Sequence, residues 1–104
     1  MNEAHEIKLV GESERGARAD RLLNDEMLKE AIDFIENDIV EKWKTSPPSL
    51  PEAQTILRLK WQCLQDIKGY IKDVAQTGRI ANTQLEQERT IKERLKRVVK
   101  GLSS

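Results

Sequence analysis

Thr45-Ser46-Pro47-Pro48-Ser49-Leu50-Pro51-Glu52 is the stretch that organises this chain. It places three prolines between positions 47 and 51. Proline lacks the amide proton that a helical turn needs and drives its predecessor away from helical angles, so a helix arriving from the N-terminal side has to stop here. The same stretch also starts a helix. Ser49 and Glu52 have the spacing of a capping box, in which a hydroxyl and a carboxylate satisfy the first free amides. Pro51 falls in the first turn, where its missing N–H costs nothing.

Upstream, from about residue 17 to 44, apolar residues fall at Leu28, Ile32, Ile35, Ile39 and Trp43, in steps of three and four. Leu22, Leu23, Met27, Ala31 and Val40 widen that stripe, and Asp and Glu occupy the opposite face, which is the signature of an amphipathic helix. Downstream, from about residue 50 to 77, Leu57, Leu64 and Ile71 recur every seven residues. Ile67 and Val74 interleave, Ile56, Cys63 and Tyr70 flank them, and Lys60 interrupts one inner position. This repeat favours coiled-coil-like association with a neighbour. Thr77-Gly78 reads as the end of that helix, with Gly78 as the residue beyond the last turn. Two helices of equal length on a short linker are expected to form an antiparallel hairpin.

Beyond Gly78, Thr83 and Glu86 form a second capping box, so a third helix is expected over about residues 79–100, ended by Gly101. Its apolar stripe is thin: Ala81, Leu85, Ile91, Leu95, Val98, Val99 and Leu102. Residues 1–16 are polar, with Gly11 and Gly16, and read as a flexible tail. The expected fold is all-α: an antiparallel helical hairpin with a third, basic C-terminal helix and a flexible N-terminal tail. In domain terms that is a tail over 1–16 and a single helical domain over 17–104.

With 104 residues there is material for one domain, and a lone monomer of this size is marginal in stability. Charged residues make up 35% and aromatics 4%, which suits helices that bury one stripe and solvate the rest. The net charge is zero but unevenly spread. Residues 1–52 hold 13 Asp and Glu against 7 Lys and Arg, and residues 53–104 hold 5 against 11. Either the halves neutralise each other within one chain, or copies associate head to tail, or the basic end faces nucleic acid. Cys63, the one cysteine, excludes a disulfide framework and reads as a buried thiol in a reducing compartment. No apolar run is long enough to span a bilayer, and the start of the chain (Met1-Asn2-Glu3-Ala4-His5-Glu6) has no signal-peptide core.

Little in the sequence suggests catalysis. The single histidine, His5, lies in the expected tail, so the usual triads and histidine metal sites cannot be assembled within one chain. No CxxC, HExxH, GxGxxG or Walker A pattern is present. Glu26 with Glu30, and Asp38 with Glu41, read as a solvated acidic face. No catalytic, cofactor-binding or metal-binding residue is expected, and no small-molecule substrate. Trp43 and Trp61 either close the loop end of the hairpin core or anchor a partner, since Trp is enriched among interface hot spots. Arg89, Lys92, Arg94, Lys96, Arg97 and Lys100 form either a solvated helix face or a set of phosphate contacts to nucleic acid. No recognition-helix architecture accompanies them, so sequence-specific reading is not expected.

The run Arg18-Ala19-Asp20-Arg21-Leu22-Leu23, then Leu28-Lys29-Glu30-Ala31, then Trp43, the polar loop, Thr77-Gly78, Ala81 and Leu85 resembles a set of short helical proteins of tailed phages and prophages. The likeness covers residues 18–85 and rests on helix-contact residues. It implies a gene setting among phage head and DNA-packaging functions, and a location in the host cytoplasm or the virion. The expected role is a non-enzymatic accessory or structural protein, acting in virion assembly or genome packaging through helix–helix association with itself or a larger protein. Two alternatives stand beside it: a DNA-binding factor similar to a small terminase subunit, and a host-directed inhibitor that works through its acidic first helix.

Overall fold

The structure, a computed structural model, describes residues 2–102. Met1, Ser103 and Ser104, the extremes of the expected tail and helical domain, lie outside the described residues. The described chain is all-α, with α1 over Glu3–Leu23, α2 over Glu26–Thr45 and α3 over Pro51–Leu102.

The start of the chain, expected as a tail, is helical from Glu3. Asn2 caps it: its Oδ1 accepts from the His5 amide at 2.7 Å. Glu3 and Glu6 in the first turn favour the helix dipole. The helix expected over 17–44 is interrupted at Asn24-Asp25. Asp25 is extended and its carboxylate accepts from the Leu28 amide at 2.9 Å, which caps α2. The Asn24 side chain meanwhile donates to the Asp20 carbonyl at 2.9 Å and closes the end of α1.

The proline stop is present as read. α2 ends at Thr45, and the Ser46 hydroxyl donates to the Trp43 carbonyl at 2.8 Å. A turn then carries the Leu50 amide to the Pro47 carbonyl at 3.0 Å, and Pro51 opens α3 at its first position. That start puts Ser49 one residue outside the cap position.

The larger correction concerns Gly78. It does not end a helix; α3 runs through it without a break for 52 residues, and the Thr83/Glu86 pair lies inside the helix rather than at its start. Gly78 is buried against Gly16 of α1. A methyl group added at Gly78 would stand 2.5 Å from the Gly16 Cα and 2.9 Å from the Glu12 carbonyl oxygen. Two helix backbones approach that closely only where neither carries a side chain.

The chain divides into two compact units, one formed by the residues up to Arg18 with those from Val74 onward, the other by Ala19–Asp73. In the first, α1 and the second half of α3 run antiparallel. Gly16 meets Gly78, Ser13 bonds Asn82 at 3.5 Å, Leu9 packs with Ala81 and Leu85, and His5 lies 3.7 Å from Glu88. In the second unit, α2 and the first half of α3 form the expected antiparallel hairpin. Lys68 Nζ lies 2.7 Å from Glu36 Oε1, and Ile39 and Leu57 are its buried pair nearer the loop.

Candidate interaction site

The described residues bury seven apolar side chains, three of them alanines: Leu9, Ala19, Ile39, Leu57, Ala75, Ala81 and Leu85. Eighteen large apolar side chains are exposed. Scattered exposed leucines are ordinary; contiguous apolar stripes are not. Here the exposed residues form stripes.

The first lies in the hairpin unit, along the side of α3 next to the heptad. Ile56, Leu59, Cys63, Ile67 and Tyr70 follow one another at steps of three and four, and all are exposed. With Ile35 and Ile39 of α2, the first four line a groove of about 500 Å³, with Asp38 and Lys60 also on its wall. Cys63 is therefore an exposed groove residue and not the buried thiol its apolar neighbours suggested. Ile56, Cys63 and Tyr70 are the residues that flank the heptad in the sequence; Ile67, expected to interleave in its inner face, is on the exposed side with them, as is Leu59.

At the loop end of the same hairpin lies a second groove of about 520 Å³. Its walls include Ile39, Val40 and Trp43 of α2 and Pro51, Leu57 and Trp61 of α3. The structure thus brings the two tryptophans to one place. They stand at the rim, with Trp43 57% and Trp61 36% exposed, so their faces remain open to a partner.

The third surface is the end of α3. In the antiparallel register of the first unit, Glu3, where α1 begins, falls opposite Ile91. Ile91, Leu95, Val98, Val99 and Leu102 are 55–83% exposed. On a helix of 3.6 residues per turn they share one face. Arg89, Lys96, Arg97 and Lys100 occupy the other side and Lys92 and Arg94 border the stripe on its two edges, all exposed. The six cations are brought together on three turns of helix, but as one side of an amphipathic segment and not as an isolated charged patch.

Among the described residues, an ion pair links α2 to α3 and a histidine–carboxylate contact links α1 to α3. Glu36, half-buried between α2 and α3, has its pKa held below the usual 4.5, first by the hydrogen bond from Lys68 and then, against the opposing effect of burial, by that from Gln65. His5 faces Glu88, whose second carboxylate oxygen is buried with no hydrogen-bond partner. Among the described residues, no three His, Cys, Asp or Glu side chains converge as a metal site would require. No helix among them is long and apolar enough to cross a membrane. Comparison of the chain with protein-family models, with curated proteins and with solved structures finds no match.

Proposed function

We propose that this protein is a non-enzymatic assembly protein that works by helix–helix association, and that its setting is phage virion assembly or genome packaging. The observation that supports association is the disproportion between its small core and its ordered apolar stripes. Each stripe has helical spacing, so each fits another helix; a catalytic cleft would instead converge a few polar groups at the base of a concave site. The tryptophans at the mouth of the loop-end groove have the character of interface anchors. The phage setting rests on the likeness of residues 18–85 to short phage proteins.

The test is where the protein goes during particle assembly. In a culture in which the source phage or prophage is producing particles, the protein should co-sediment with heads or head precursors, and Trp43→Ala with Trp61→Ala should reduce its share of that fraction several-fold. Recovery of the unaltered protein only at the top of the gradient would overturn the assembly role.

One observation favours a second reading, a nucleic-acid-binding factor: the six cations Arg89, Lys92, Arg94, Lys96, Arg97 and Lys100 sit exposed on one helix segment. Phosphate contacts of that kind release counterions and make binding steeply salt-dependent. Removal of residues 89–104 should then abolish DNA binding, and binding unchanged by that truncation would dispose of the reading.

A further inference from the structure

The end of α3 and the groove of the hairpin unit are both apolar, and they differ in charge. The segment 89–102 holds six Lys and Arg against one acid, Glu93, a net of +5. The hairpin unit, residues 19–73, holds eleven Asp and Glu against eight Lys and Arg, a net of −3. Acids also stand where a helix lying in the groove would meet them. Asp38 is on the groove wall and Glu41 is one turn along the same face of α2, each shared with a lysine of its own helix, Lys42 at 2.8 Å and Lys44 at 3.7 Å. Glu52 and Asp66 lie seven residues to either side of the groove residue Leu59, on the same row of α3.

From this we infer that the groove between α2 and α3 receives the basic amphipathic end of α3 from a second copy of the chain. The inference rests on the proposed role in helix–helix association and names its partner. Ile91, Leu95, Val98 and Leu102 enter against Ile35, Ile56, Cys63 and Ile67, and Lys92 and Arg94 meet the acidic rims. Helix-in-groove recognition of this kind reads anchors at the spacing the segment shows. Groove residues 56–67 and the segment 91–102 both belong to α3.

Charge also decides against other occupants. Two copies of the segment lying side by side would juxtapose their cations. Nucleic acid would engage the cations and leave the apolar stripe in water. Exchanged reciprocally between two copies, the contact closes a two-fold dimer; passed from copy to copy, it propagates until a ring closes or a filament grows. Lys60 is the one cation on the groove wall, and it opposes the incoming segment. Reversing it should strengthen the association, an effect that misfolding does not produce.

The experiment is the solution mass of the full chain by light scattering, over a range of concentration and salt, with four proteins. The unaltered chain should exceed the monomer mass, less so at high salt. Lys92→Glu with Arg94→Glu should weaken association at least tenfold, and so should Asp38→Lys with Asp66→Lys. A mixture of those two double variants, whose charges are exchanged, should recover it. Lys60→Glu should tighten it severalfold. A monomeric unaltered chain at all concentrations overturns the inference while leaving an assembly role with another protein open to the sedimentation test. An oligomer indifferent to all three variants overturns this docking and not association itself. If Lys92→Glu with Arg94→Glu changes only binding to anionic phospholipid vesicles or to duplex DNA and leaves the mass unchanged, the occupant is that surface and the inference fails.

Discussion

Glycines 16 and 78 show how one residue type carries opposite consequences within a single chain. Gly11 and Gly69 have nothing within 4 Å of where a Cβ would stand, whereas Gly16 and Gly78 face each other's backbone. Alanine in a helix interior is favoured over glycine by up to about 1 kcal/mol, so Gly11→Ala should raise stability slightly in urea denaturation. Gly78→Ala gains the same propensity but must push two backbones apart, and overpacking of that kind costs about 1–3 kcal/mol. The net effect at Gly78 should therefore be destabilising, and equal stabilisation by both variants would contradict the close crossing. Glu36 offers a second test at this scale. Its folded pKa lies below its usual 4.5, so the contribution of its pair with Lys68 is present above that value and is lost as the pH falls from there through the folded pKa. Glu36→Gln should flatten that acid-side loss, with a cost at neutral pH of about 1 kcal/mol or less, since both partners are partly solvated.

Among the elements, the break between α1 and α2 hangs on Asp25. A capping side chain is worth about 1 kcal/mol, so Asp25→Ala should lower the unfolding free energy measured in urea by that amount while Asp25→Ser should restore it. The mirror-image case is α3, where a continuous helix runs through two signals that locally say stop and start. Its heptad phase explains why. Counting on in sevens, the row of Leu57, Leu64 and Ile71 continues through Gly78, Leu85, Lys92 and Val99, and the row of Ile67 through Val74, Ala81, Glu88, Leu95 and Leu102. The stripe does not change phase at Gly78, as it would across a genuine turn. Gly78 and Ala81 are the small members of that stripe, which is where α1 comes nearest.

For the molecule as a whole, the proposed association turns on the stripes that remain open in each unit. Burying a large apolar side chain is worth about 1.5–3 kcal/mol, and among the described residues eighteen are exposed against seven apolar residues buried. A protein of this construction should bind an environment-sensitive apolar dye when dilute and lose that binding as it associates. Dye binding that does not fall with concentration, in a preparation whose mass does rise, would place the contact away from the apolar stripes.

The helical class, the proline stop, the start at Pro51 and the antiparallel hairpin were legible from local chemistry, because proline acts on its own neighbours and amphipathic spacing is a property of consecutive turns. The six cations could be placed on one helix segment from residue type and position, whereas the sequence left Trp43 and Trp61 between core and surface and their exposure came from the structure. What local chemistry could not show was that Gly16 and Gly78 are partners 62 positions apart. A glycine's propensity cost is about 1 kcal/mol, small enough for one close helix contact to override. Leu9 reaching Ala81 and Leu85 turned an expected tail into α1 in the same way. Cys63 was placed on an open groove by the number of helices available to cover α3, a quantity that no window of sequence contains.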